Sequence, residues 1–201
     1  MSKFSSNRDN YNRNRPSYTA TRKFEEYAYI LDFIQNGNSS IVRMREGVIV
    51  QAIGEEHLTT LELLGINSEE FSIGERVYIG KEGRSKIISV LGRIDYGHLT
   101  STAKNELETV VEKIVSENEA RFIDYFNSAQ PMTPRVHSLE LIPGIGKTYM
   151  KSILTERDKK KFSSFTDLHD RTGLRDVSKH LAKRIYDELS GETRMNIFVR
   201  K

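Results

Sequence analysis

The residues best suited to chemistry in this chain lie in one run, Leu139-Glu140-Leu141-Ile142-Pro143-Gly144-Ile145-Gly146-Lys147-Thr148. Pro143 and Gly144 suit a tight turn, and glycines on both sides of Ile145 let the backbone bend sharply while the isoleucine plugs the space between two helices. Such a bend leaves the main-chain N–H groups of Gly146 to Thr148 without intrahelical partners at a helix start, where the helix dipole favours an anion. A phosphate fits that description. Lys147 and Lys151 stand one helical turn apart on the same face and would add charge to the contact.

The pattern apolar-Pro-Gly-apolar-Gly-Lys resembles a helix-hairpin-helix motif, which in known families holds the sugar-phosphate backbone without reading base sequence. Val136 to Leu141 is expected to form the first short helix, and Thr148 to Glu156 the second, with Met150, Ile153 and Leu154 inward. Downstream, Phe162, Phe165 and Leu168, then Thr172-Gly173-Leu174 and a helix from Ser178 to Leu189, look like a degenerate second hairpin without the Pro-Gly pair. Lys179, Lys183 and Arg184 on that helix are candidate phosphate contacts, with a solvated helix face as the plainer account. A hairpin used only for packing or for a protein partner is the competing account of the first turn, and the net +6 of residues 135–201 weighs against it. Gly146-Lys147-Thr148 also ends like a nucleoside-triphosphate loop, but Leu141 stands where that loop needs its first glycine, and no strand precedes it.

No other constellation suggests catalysis. The five histidines are scattered without zinc-site spacing, and cysteine is absent, which excludes thiolate metal sites, disulfides and a cysteine nucleophile. The acid pairs Glu25-Glu26, Glu55-Glu56 and Glu69-Glu70 read as solvated charge, because nothing beside them signals the apolar pocket that tunes a catalytic carboxylate. The expectation is therefore a protein with no catalytic residues, no metal and no cofactor.

The elements that must position the hairpin follow from periodicity. Residues 24–99 alternate apolar and polar side chains in short runs (Tyr27 to Asp32, Val48 to Val50, Val77 to Ile79, Ile87 to Leu91) punctuated by glycines, which predicts a small closed OB-like or SH3-like β-barrel. Residues 100–130 carry Leu107, Val110, Val111, Ile114, Val115, Phe122, Ile123 and Phe126 at helical spacing, which predicts one long connecting helix with Ser101 or Thr102 as N-cap and core packing rather than a coiled-coil seam. Residues 131–201 are expected to form an all-α tandem helix-hairpin-helix domain, giving an α+β chain. Residues 1–23, rich in Ser, Asn and Arg, read as a disordered basic arm whose Arg8, Arg13, Arg15, Arg22, Lys23, Tyr11 and Tyr18 suit either an RNA strand or plain solvation.

Charge is uneven although its sum over 201 residues is only +3. Residues 1–23 sum to +5, the C-terminal 67 residues to +6 and the stretch between them to −8, so a polyanion would meet the ends and not the middle. No run is long and apolar enough for a membrane span, nor is there a signal-type apolar segment, and the expected location is the cytoplasm.

Three segments together carry a family resemblance: the hairpin, Phe71-Ser72-Ile73-Gly74-Glu75-Arg76-Val77-Tyr78-Ile79-Gly80, and Ile94-Asp95-Tyr96-Gly97-His98-Leu99-Thr100. The chain resembles the archaeal family catalogued as domain of unknown function 655 over roughly residues 24–198. That resemblance implies an OB-like barrel joined to a helix-hairpin-helix domain, a nucleic-acid-binding role without an established reaction, and genes neighbouring those of ribosomal, RNA-polymerase and ribosomal-RNA-methylating proteins. The expected function is thus non-enzymatic binding of nucleic acid, RNA favoured over DNA, by sequence-independent phosphate contact through Pro143, Gly144, Ile145, Gly146, Lys147, Thr148 and Lys151, with a link to the ribosome or translation. The alternative is an adaptor contacting ribosomal or polymerase-associated proteins; DNA binding and a nucleotide-binding phosphohydrolase rank below it.

Overall fold

The computed structural model describes residues 24–199; the basic arm expected over residues 1–23 lies outside them. Five antiparallel strands come first: β1 (Tyr27–Asn38), β2 (Glu46–Gly54), β3 (Thr60–Gly65), β4 (Arg76–Tyr78) and β5 (Ile87–Arg93). They make one sheet in the order β4-β1-β2-β3-β5, curled into a half-barrel. Register shifts between Ile30 and Asp32 and between Ile34 and Gly37 mark irregularities of the bulge kind, which bend a strand and increase its twist.

The barrel is not closed as expected. Strands β4 and β5 stand at opposite edges, and no ladder joins them among the described residues. A side chain spans the gap instead: Arg84 Nε donates to the carbonyls of Ile79 (3.1 Å) and Gly80 (2.5 Å), and its Nη1 to that of Ile88 (3.2 Å).

Strand β3 is absent from the alternating runs read in the sequence. Its core Leu61-Glu62-Leu63-Leu64 favours helix by composition, but β2 pairs on one side and β5 on the other, and all six residues are buried. Glu62 is tolerated there because its carboxylate accepts from the Ser39 hydroxyl, and from the Ser40 amide (3.1 Å) and hydroxyl (2.6 Å).

The two faces of the sheet fill separate cores. Ala28, Ile30, Val50, Leu63 and Val77 pack inside the curl. On the other face Tyr29, Leu31 and Ile53 join a core that continues through the helices to Ile185. Alternation along β1 thus serves two apolar layers, as a strand covered on both sides requires.

Helix α1 (Ser101–Glu117) lies on that second face and packs against the last helix. Its N-cap is Thr100, not Ser101 or Thr102: the Thr100 Oγ1 accepts from Ala103 N at 3.0 Å and donates to Asp32 at 2.5 Å, which ties the helix start to β1. Such a cap contributes about 1 kcal/mol. The single helix expected over 100–130 is two. At Asn118 (φ −112, ψ 35) the chain breaks into α2 (Glu119–Ser128). The Asn118 side-chain amide donates to Ile114 O at the end of α1 (3.0 Å) and to Glu55 in the β2–β3 turn (3.3 Å), which ties the break to that turn. The apolar stripe of α1 is nevertheless core, since Ala103, Leu107, Val110, Val111, Ile114 and Val115 are buried.

A short hairpin, β6 (Pro131–Thr133) with β7 (Val136–His137), leads to a 3-10 turn over Ser138–Leu141, so the helix expected from Val136 to Leu141 is a strand end and one tight turn. His137 caps that turn: its Nδ1 accepts from Leu139 N, and Glu140 accepts from the His137 amide, a reciprocal pair. Three helices complete the chain, α3 (Lys147–Lys159), α4 (Phe165–Thr172) and α5 (Val177–Ser190). No helix among the described residues is long and apolar enough to cross a membrane.

Candidate nucleic-acid interface

The turn between the 3-10 segment and α3 has the geometry its residues dictate. Ile145 N donates to Ile142 O at 3.0 Å, and Gly144 has φ +85, the signature of a type II turn with Pro143 at its second position and glycine at its third. Ile142 and Ile145 flank the turn and are 1% and 2% exposed, so both isoleucines anchor it in the helical core, each by roughly 1.5–3 kcal/mol.

Gly146 is extended (φ −82, ψ −178) and forms the N-cap of α3, its carbonyl accepting from Met150 N at 2.9 Å. No side chain caps the helix, and its first turn contains no acid. Among the described residues no acceptor takes the N–H groups of Gly146, Lys147 or Thr148. Those amides reach a surface where Gly144, Gly146, Lys147, Thr148 and Lys151 are all exposed. Pro143 is half-buried and shapes the turn.

A residue not singled out in the sequence belongs to this surface. His180, in the first turns of α5, sets its imidazole against Gly144, so that any Cβ there would collide with the ring. Nothing lies within 4 Å of a Cβ built on Gly146. Only the packing of α5 against the hairpin reveals His180; no local pattern does.

The segment read from the sequence as a degenerate second hairpin is built differently. Gly173 (φ +77) ends α4, Leu174 is buried in the role of Ile145, and Asp176 (φ +50) is the N-cap of α5. A carboxylate therefore stands where the first hairpin has an open glycine. Lys179 is exposed, its Nζ 3.9 Å from Asp176. Lys183 pairs with Asp187 at 2.8 Å, and that hydrogen bond holds its ammonium pKa above the usual lysine value. Arg184 corrects the expectation outright. It is buried, donating to Glu188 at 2.8 Å and to the Met195 carbonyl, and offers no surface charge.

Of the acid pairs, Glu25 and Glu55 differ from solvated charge, while Glu26, Glu56 and Glu70 are exposed. Glu25 is buried and accepts from the amides of Glu56, His57 and Thr59. Glu55 meets Arg76 through two nitrogens, at 2.7 and 3.1 Å. Burial pushes the Glu55 carboxyl up, but the hydrogen bonds from Arg76 and Asn118 outweigh it and hold the pKa below the ordinary glutamate value. These carboxylates fasten turns.

The stretch before the hairpin is a 3-10 turn, so the strand that a triphosphate loop requires is missing as well as its first glycine. Together the fold and this surface define an α+β protein, a curled five-stranded half-barrel backed by five helices. The chain belongs to the family described as protein of unknown function (DUF655), whose family model matches residues 24–200. It is 42% identical over 177 residues to the uncharacterized protein MJ0038 of Methanocaldococcus jannaschii, across 88% of this chain and 80% of that one. Its fold is similar to the crystal structure of Af1531 from Archaeoglobus fulgidus, of the same family, with a TM-score of 0.77, 36% identity, and coverage of 88% of this chain and 100% of that one.

Proposed function

We propose that this chain is a non-enzymatic nucleic-acid-binding protein whose helix-hairpin-helix element, Pro143 to Thr148 with Lys151, holds a backbone phosphate without reading sequence. Gly146 carries the reading. Its dihedrals suit any residue and no protein atom crowds its missing side chain, so beyond the modest preference for glycine over alanine at an N-cap the fold does not call for it. Close approach by an outside group does call for it. The uncapped amides of Gly146 to Thr148 and the exposed Lys147 and Lys151 supply the matching donors and charge. RNA is the favoured target on the ribosomal and polymerase company that the family resemblance implies, and the OB-like reading of the half-barrel belongs to the same proposal.

The test is titration of labelled RNA and DNA duplexes at several salt concentrations. Lys147→Ala with Lys151→Ala should weaken binding to all sequences alike and flatten the slope of log K against log salt by about 1.8 for a duplex, the loss of two phosphate contacts. Unchanged affinity and slope would remove the hairpin from the interface. Tighter binding to RNA than to DNA of equal length supports the choice of RNA.

A further inference from the structure

The open seam of the half-barrel, between β4 and β5, frames a cavity of about 750 Å³, within the range of ligand sites. Its floor is apolar, with Leu61 and Ile79 nearly buried, and Phe24 stands at its lip with 63% of its surface exposed. Lys81, Arg84 and Arg93 line it too, and Lys81 Nζ lies 5.6 Å from the Phe24 ring. The one acidic lining residue, Glu25, has its carboxylate engaged by three backbone amides. Within a stretch of the chain that is acidic on balance, this groove is a local concentration of cations around an exposed aromatic ring.

We infer that the groove is a second nucleic-acid site, taking a single strand, with a base stacked on Phe24 and the flanking phosphates on Lys81 and Arg93. Arg84 bridges the seam at the cavity wall, its guanidinium already bonded to carbonyls beside both edges. The combination of flat ring, apolar floor and exposed cations matches a nucleotide chain, which presents a π-face and an anion at each step. Charge decides against the nearest rival, residues 1–23 of the same chain. They lead directly into Phe24 but carry a net +5, which Lys81 and Arg93 would repel. A duplex cannot stack an unpaired base on Phe24, so the groove selects single strands while the hairpin accepts any phosphate backbone.

The inference rests on the nucleic-acid reading above, and its test separates the two. The full chain is titrated with labelled oligouridine and with an RNA duplex of equal length, comparing Phe24→Ala/Lys81→Ala/Arg93→Ala with Lys147→Ala/Lys151→Ala. All five side chains are exposed; matched thermal melts identify any variant that loses its fold, and Phe24→Leu, which keeps the apolar bulk without the flat ring, then replaces Phe24→Ala. The groove variant should lose roughly 5- to 150-fold in oligouridine affinity from the lost stack alone, and its single-strand salt slope should fall by about 1.4, with duplex binding unchanged. If the hairpin variant binds both probes normally while the groove variant loses oligouridine, the groove stands and the hairpin reading falls. Oligouridine binding by the groove variant equal to that of the unmodified chain overturns the inference and leaves the seam to an extended protein segment. Equal losses on both probes overturn single-strand selectivity.

Discussion

The imidazole of His180 rests against the bare face of Gly144, joining the Pro143–Gly144 turn to α5. Two glycines two residues apart therefore do different work. Gly144 is required by its own fold, through a positive φ and a ring beside it, whereas Gly146 has neither constraint.

Alanine at these positions should separate stability from binding. Gly144→Ala carries a left-handed backbone cost of roughly 1–2 kcal/mol and, with the ring in place, an overpacking cost of about 1–3 kcal/mol. His180→Ala should recover part of the second cost but not the first, giving non-additive urea midpoints in a double-mutant cycle. Gly146→Ala should cost under about 1 kcal/mol, as a poorer N-cap, yet lower nucleic-acid affinity by about 10- to 100-fold if amide contacts to phosphate are lost. The reverse pattern would mean that the two glycines have exchanged roles.

Acid should loosen the junction of the β2–β3 turn with β4 and the α1–α2 break. Glu55 has a folded pKa held below the ordinary 4.5, so its contribution to stability is complete above that value and is lost as pH falls through the lower, folded one. Arg76→Gln removes the largest of the interactions that depress it and leaves the hydrogen bond from Asn118. The variant should be less stable at neutral pH and show a shallower decline as pH falls below the ordinary glutamate value of 4.5, measured by chemical denaturation at each pH. Parallel pH curves for the two proteins would exclude Glu55 as a source of the acid sensitivity.

How far the sequence discloses this structure depends on the range of the interaction involved. The type II turn is legible because Pro143, Gly144 and Ile145 act within four residues, and turn chemistry is local. The apolar stripe of α1 and α2 is legible too, but its spacing runs unbroken through Asn118, so the break, set by a contact to Glu55 far away in the chain, leaves no periodic trace. Strand β3 is hidden by helix-favouring leucines that only pairing on both sides turns into a strand. Buried Glu25, Glu62 and Glu188 look like surface charge until the turns that donate to them are in place. His180 enters the candidate surface by the same long-range route.

Glu188 should govern the C-terminal segment. It is 1% exposed and accepts from the amides of Ile197 (2.8 Å), Phe198 (3.0 Å) and Val199 (2.8 Å) as well as from Arg184. Phe198 in turn packs on Phe122 and Tyr125. Glu188→Ala leaves Arg184 buried without its carboxylate and should cost about 3–5 kcal/mol, with amide exchange at Ile197 to Val199 accelerating more than at β2. Uniform acceleration across the molecule would instead mean that the segment has no separate opening.

The second hairpin offers the sharpest check on the phosphate reading, because it differs from the first by an acid at the critical position. Asp176 is the N-cap of α5 with φ +50, makes no side-chain cap, and places a negative charge beside that helix start. Asparagine is the substitution of choice, since it tolerates the left-handed region as aspartate does and keeps the size while removing the charge. Asp176→Asn gives up a favourable interaction with the helix dipole, about 0.3–1 kcal/mol, and frees Lys179 from its ion pair. Nucleic-acid affinity should rise by about two- to fivefold, on the order of 0.4–1 kcal/mol, with a steeper salt dependence as one more lysine reaches phosphate. An affinity that stays flat while stability falls would mean that the start of α5 faces away from the bound backbone, leaving the first hairpin to act alone.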